Sequence, residues 1–353
     1  MAGLNLDKLK PLLAKLKRKP VDVLGLDAGH SGIKAVRMRL VDKQPTVVAV
    51  DILPAIPIPV AGAEGYPDIQ PLVLPKNLVA KYAALVVPGR GAVVKLLTFP
   101  AAAAGAADVE TKIVEGLGIE KPEEYRIGYK MLKEVSPKSE SRSLVAALPE
   151  VEASYAAKLL PSGTPAPYSL EIAGLASMTA FLSGPAQAHA EEAVGMIEFG
   201  ANVSYFAIVN KTVPVLLRKF DFGSSLILEM VQQSLGIDQA TAEGILTDGS
   251  FDISQQISDV LENFIKQVVV SRDFVERREG CRITRVFASG GVTRSRDWTQ
   301  EVKSAVGHEV EQWNPFDCVK VADGAIPEHL KGQEARFAAA VGAGLGVIVQ
   351  EAQ

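Results

Sequence analysis

Asp27, Gly29, His30, Ser31, Gly32 and Lys34 lie close together, with an acid, a glycine-rich tight turn and a lysine seven residues after the acid. Glycine lets the backbone approach a ligand closely. Backbone N–H groups in such a turn can cradle phosphate oxygens, and an aspartate can hold a hydrated Mg2+. Two further stretches share this character, Glu198-Phe199-Gly200-Ala201-Asn202 and Ser289-Gly290-Gly291. Each is unspecific alone, because any hairpin can carry glycine and an acid. Placed across a cleft, the first two can grip a polyphosphate from opposite sides, and the third lets a flat base or ribose approach.

The elements that must position these turns follow from apolar alternation. Strands are expected at Val21–Leu26, Ile33–Leu40, Val47–Leu53, Ala83–Val87, Val93–Phe99, Tyr125–Val135, Ser143–Leu148 and Ser169–Ile172. Helices are expected at Ala106–Gly116, Val151–Leu160 and Leu175–Leu182. Pro54, Pro57, Pro59, Pro67, Pro71 and Pro75 mark a covering loop rather than a regular element. A second unit opens with Val194–Phe199, Val203–Val209 and Val213–Phe220, repeating the strand, glycine turn, strand, strand order of the first. Helices follow at Ser225–Leu235, Gln239–Leu246 and Ile253–Glu279, then a strand at Arg285–Ala288 and a small-residue helix at Ala335–Val349. The repeat implies an α/β fold of two duplicated lobes. The expected boundaries are a basic arm over 1–20, a first lobe over 21–192 with a small insertion near 85–165, a second lobe over 193–332, and a helix over 333–353 returning to the first lobe.

At 353 residues the chain is long enough for two cores, and its net charge of -4 gives no reason to expect nucleic acid. No apolar run approaches the roughly 20 residues that span a bilayer. Cys281 and Cys318 are too few for a disulfide framework, and the four histidines lack metal-ligand spacing. This usage fits a reducing cytosol. Leu6, Leu9, Leu13 and Leu16 recur at helical spacing among Lys8, Lys10, Lys15, Lys17, Arg18 and Lys19. Such an arm is read either as a solvated tail or as a contact for a membrane surface or partner. The arginines at 272, 277, 278, 282 and 285 read as a salt-linked helix end, and the Leu226–Val231 stripe as core.

Together these motifs resemble the actin-like ATPase superfamily, and within it the PilM-like proteins of type IV pilus assembly. The similarity runs from about 21 to 350. Asp27, Gly29, Ser31 and Lys34 match the first phosphate loop, with Glu198, Gly200, Ala201 and Asn202 in the second. Gly290 and Gly291 match the adenosine loop, and Ala339, Gly342 and Gly344 the helix linking the lobes. Phe222-Gly223, Leu235-Gly236-Ile237, Ala242-Glu243 and Trp313-Asn314-Pro315-Phe316 follow the same pattern. Val87-Pro88-Gly89 with Leu97-Thr98-Phe99-Pro100 is similar to the start of the small subdomain placed as in FtsA-like and PilM-like proteins.

The resemblance implies ATP with Mg2+. Phosphates are expected on Asp27, Gly29, His30, Ser31, Lys34, Gly200, Ala201 and Asn202, and adenosine on Gly223, Glu243, Gly290 and Gly291. Mg2+ is expected through water on Asp27 and Glu198. It further implies a cytoplasmic protein peripheral to the inner membrane, docking the N-terminal tail of a PilN-like partner beside the pilus assembly motors, with self-association into a ring or platform. Glu198 departs from the usual Asp, and its extra methylene displaces the carboxylate by roughly 1.5 Å. His30 replaces a small serine, and Leu246 stands near a usual polar nucleotide contact. These departures weigh on hydrolysis more than on binding, so slow or absent ATP hydrolysis is expected. A type II secretion platform, an FtsA-like cell-division adaptor and a small-molecule kinase of the same superfamily are the alternatives. The C-terminus carries no basic amphipathic tail of the FtsA kind, and no catalytic carboxylate poised on a substrate hydroxyl is evident.

Overall fold

The computed structural model describes residues 20–56, 69–100, 106–132 and 140–349. The basic arm, most of the proline-rich interval, the far end of the strand expected to reach Val135 and the last four residues lie outside the described residues.

Two sheets repeat one topology. In the first, β1 (Asp22–Gly29), β2 (Gly32–Val41) and β3 (Gln44–Leu53) form an antiparallel meander, and β4 (Tyr82–Val87) joins β1 in parallel. The inserted sheet contains β5 (Val93–Pro100), β6 (Tyr125–Met131) and β7 (Glu140–Pro149), in the order β5-β7-β6. It carries α1 (Ala106–Leu117) and is followed by α2 (Glu150–Ala157). β8 (Ala166–Ile172) then resumes the first sheet beside β4, so the inserted sheet lies between Val87 and Ala166 in the chain. Next come α3 (Ala173–Ser183) and the short α4 (Pro185–Ala188).

The second sheet has the order β11-β10-β9-β12-β13, built from β9 (Ala193–Phe199), β10 (Ser204–Asn210), β11 (Val213–Phe220), β12 (Ile283–Ser289) and β13 (Val310–Gln312). It corresponds strand for strand to β3-β2-β1-β4-β8 in order and direction. Between β11 and β12 lie α5 (Ser224–Leu235), α6 (Gln239–Asp248) and α7 (Ser254–Glu279); α8 (Arg296–Val306) follows β12. α8 is not among the helices expected from the pattern of residues, although Trp298, Val302 and Val306 are buried at helical spacing. Left-handed Gly236, Gly249, Gly280 and Gly307 terminate these helices.

Two expectations need correction. Val47 pairs with Val321 of β14 (Lys320–Val321), so the chain has rejoined the first sheet well before residue 332. Trp313, Phe316, Ala325 and Leu330 accordingly sit in the first lobe's core. The α5 stripe is only half core. Ile227 and Val231 are buried, whereas Leu226 and Met230 are exposed along a groove of about 670 Å³ with Phe222 and Phe264. The arginine cluster does form ion pairs, including Arg278 with Glu279 and Arg285 with Glu311.

α9 (Ala338–Val349) returns to the first lobe, running against α3 and across β1. It is buried over nearly its whole length because its residues are small. A Cβ on Gly342 would sit 1.7 Å from the Ala176 carbonyl oxygen of α3, so this crossing admits only glycine. Gly342→Ala should therefore lower the unfolding midpoint, at a cost of about 3 kcal/mol or more. Gly244→Ala, on α6 with open space around it, should be neutral or stabilise by up to about 1 kcal/mol. Urea unfolding of both variants checks this, and equal midpoints would refute the close-packing account.

Candidate functional site

Strand register brings the chemistry-bearing residues together. β1 and β2 close a two-residue turn, His30-Ser31, with Gly29 opposite Gly32 at φ +114°. That register sets Lys34 opposite Asp27, and residues directly opposite share a face. The ammonium stands 3.7 Å from the carboxylate, and both groups are buried. In the second lobe β9 and β10 place Tyr205 opposite Glu198, again seven positions on, and β12 places Ser289 opposite Glu198 from the other side. The Ser289 hydroxyl donates a short hydrogen bond to Glu198 Oε2.

The second and third turns stack by backbone. Gly290, at φ +107°, would put a Cβ 2.1 Å from the Phe199 carbonyl oxygen, so only glycine permits this approach. Gly290 N also donates to Ala335 O at 2.9 Å. At the start of α5, Ser224 N and Ser225 N donate to the carbonyls of Gly200 and Ala201, at 3.0 and 2.9 Å. Gly223 stands against the back of that turn and would place a Cβ 2.3 Å from Gly200 O.

The three turns line one cleft of about 890 Å³ between the lobes. Of the residues singled out from sequence, Asp27, Gly29, His30, Ser31, Lys34, Glu198, Gly200, Ala201, Asn202, Glu243, Gly290 and Gly291 all line it. Gly223 does not, because it packs behind the second turn and supports it. Leu246 lines the cleft as an apolar wall of α6.

Sequence reasoning missed the cations contributed by other segments, Arg90, Arg294 and Arg336. Arg336 bridges the first and third turns. Its Nη2 donates to Ser31 O at 3.4 Å, its Nη1 to Gln333 Oε1 at 2.6 Å, and its Nε lies 3.9 Å from the position of a Cβ on Gly291. No local pattern marks it, since it precedes the small-residue helix as a single arginine. Ser289 was read as part of its loop, but a hydroxyl aimed at Glu198 follows only from the β9–β12 register.

Electrostatics in the cleft are set by burial. Desolvation raises the Asp27 pKa, while Lys34 and then Arg336 oppose the rise. Desolvation pushes Glu198 up to about 7, with the Ser289 hydroxyl pulling down and the Asp27 charge pushing up. Burial and the neighbouring Arg294 lower the Arg336 pKa. The two carboxylates therefore raise the cost of each other's charge, and a cation or a proton between them relieves it.

Residues 167–347, more than half of the chain, match the family model of type IV pilus assembly protein PilM. The chain belongs to this family. Among solved structures it is similar to the PilM-PilN type IV pilus biogenesis complex, with TM-score 0.75, 19% identity, and coverage of 93% of this chain and 99% of that chain. MreB 5 of Spiroplasma citri bound to AMPPNP gives TM-score 0.45 and 10% identity, covering 94% of this chain and 97% of its own. A Bacteroides thetaiotaomicron protein with an actin-like ATPase fold gives 0.44 and 6%, covering 90% and 98%. No curated protein sequence matches. The fold is the duplicated two-lobe α/β fold that the sequence repeat implied, the architecture that the resemblance described as actin-like.

Protonated Glu198 is the form favoured by folding, so its contribution is fully present below pH 4.5 and is lost as pH rises through about 7. Glu198→Gln removes this loss. At pH 8 the variant should be more stable than the native protein by up to about 3 kcal/mol, and the gap should close toward pH 5. Thermal unfolding across that range measures the gap, and a constant gap would contradict the assignment.

Proposed function

We propose that this PilM-family protein is an actin-like nucleotide-binding scaffold of type IV pilus assembly, cytoplasmic and peripheral to the inner membrane, with ATP and Mg2+ as its ligands. The observation that carries the reading is the convergence of three glycine turns, two carboxylates and several cations on one cleft between duplicated lobes. The first and second turns present backbone amides, Lys34 and Arg336 to phosphates. Gly290 and Gly291 leave a flat surface for the nucleoside, with Glu243 at the cleft wall. Among the described residues no cluster of three or more His, Cys, Asp or Glu converges on a metal position. Two carboxylates still suit Mg2+, which keeps most of its waters and takes phosphate oxygens. Asp27 and Glu198 would hold the ion through water, and bound Mg2+ would neutralise phosphate charge.

The partner in this reading is the N-terminal tail of a PilN-like inner-membrane protein. The support is family membership together with a similar structure described as a PilM-PilN complex. Among the described residues no helix is long and apolar enough to cross a membrane, so attachment would come through such a partner. The working boundaries are a first lobe from 21 to 192 with the insertion inside it, a second lobe from 193, and a terminal helix from 333, with β14 assigned to the first sheet.

Titration with a fluorescent ATP analogue and Mg2+ tests the cleft. The native protein should bind, and Asp27→Ala and Gly290→Val should weaken binding at least tenfold. No binding at millimolar nucleotide would remove ATP from the account. Pull-down with synthetic tails of PilN-like proteins tests the partner, and failure with every tail would remove the pilus role.

A further inference from the structure

Four residues, Pro88 to Gly91, join three parts of the molecule. They connect β4 of the first sheet to β5 of the inserted sheet. From the second lobe, the Tyr205 hydroxyl donates to Pro88 O at 2.9 Å. The Lys219 ammonium, on β11, donates to Gly89 O at 3.1 Å and to Arg90 O at 2.5 Å. From α2, at the far boundary of the insertion, Glu152 accepts a hydrogen bond from Gly91 N at 2.8 Å. Glu152 is buried, which raises its pKa, while the Gly91 amide and the Lys219 and Arg90 charges oppose the rise. A buried carboxylate engaged in this way fixes the turn to the insertion.

The same turn faces the cleft, because Pro88 and Arg90 line it. Tyr205 lies directly across the strand pair from Glu198 and is itself fully buried against Gly174 of α3. The insertion has a second tie to the second lobe at the other end of β7. Arg142 donates to both carboxylate oxygens of Glu279 on α7, at 2.8 and 3.2 Å. Because Thr98 pairs with Arg142 and Val93 with Ala147, that tie sits at the opposite end of the sheet from the turn. The inserted sheet is thus held at one end by an ion pair remote from the cleft and at the other by a turn that forms part of its wall.

We propose that the Pro88–Gly91 turn relays occupancy of the cleft to the inserted subdomain, with Arg90 meeting the ligand's phosphates and Tyr205 and Lys219 coupling the turn to the second lobe. This rests on the reading of the cleft as a nucleotide site. An anion in the cleft attracts the Arg90 guanidinium and changes the separation of the lobes that the turn bridges. The turn's carbonyls cannot move without Tyr205 and Lys219, and its amide cannot move without Glu152. A surface on the insertion then differs between occupied and empty states, and a partner favouring one state is coupled to the nucleotide reciprocally.

Hydrogen–deuterium exchange of the full chain, with and without saturating AMPPNP and Mg2+, tests the relay. In the native protein exchange should slow at the cleft turns (27–34, 198–204 and 289–294) and change severalfold over 93–100 and 140–157. In the double variant Tyr205→Phe, Lys219→Met, the cleft turns should keep their protection while the change in the insertion disappears. Arg90→Ala removes an exposed side chain from the cleft wall and should also abolish the change in the insertion, which keeps the test open if the double variant fails to fold. Cleft protection with an unchanged insertion in the native protein would overturn the relay alone, as would a full response in the variants. An absence of protection at the cleft turns would overturn the nucleotide reading and the relay with it.

Discussion

Two buried carboxylates on one cleft form the constraint on which the remaining structure depends. Isolated, Asp27 and Glu198 would each meet a large desolvation penalty, and the Asp27 charge raises the cost of ionising Glu198 further. Their neighbours are arranged against that penalty. Lys34 faces Asp27 across a strand pair, Arg336 crosses from the start of the terminal helix, and Ser289 donates to Glu198 from the adjacent strand. Each of these partners reaches its carboxylate from a neighbouring strand or from the chain before the terminal helix. The lobes, the register and the crossing helix must all be in place before the cleft is electrostatically tolerable.

The glycine turns stand at one end of each sheet because β1 and β4, and β9 and β12, are parallel neighbours whose C-terminal ends meet at the cleft. Open α/β sheets place ligand sites at such ends, where turn amides are free to point outward. Packing fixes the spacing. Gly223 lies behind the second turn and Gly290 touches it, so two strand ends and a helix start approach more closely than side chains would allow. The second turn is braced from behind, with its carbonyls bonded to the first amides of α5.

Much of this was legible in the chain. Alternating strands around Gly29 and Gly200 disclosed the repeat, and the order of the three turns disclosed a shared cleft. What could not be read arises from contacts made between distant segments. Arg336, Arg294 and Arg90 have no local signature, and their presence in the cleft depends on how the lobes close. Leu226 and Met230 follow a helical stripe that looks like core, yet helix α5 offers a wider apolar face than its neighbours cover. Lys320 and Val321 have too short a pattern to announce a strand, and only their pairing with Thr46 and Val47 shows that the chain has crossed back.

The duplicated hairpins also show where the halves have diverged. Lys34 and Tyr205 occupy equivalent positions, each directly opposite the carboxylate of its own lobe. The lysine ends its reach at Asp27, keeping its charge inside the cleft. A tyrosine at the second position cannot neutralise Glu198, and its hydroxyl instead reaches Pro88 across the lobe boundary. The first hairpin thereby carries its own counter-charge, which Arg336 supplements. The second leaves its carboxylate dependent on Ser289 and on protonation or a cation, while its aromatic partner engages the insertion. The exchange of lysine for tyrosine at this one register position thus separates a half that carries a counter-charge from a half that joins the cleft to the rest of the molecule.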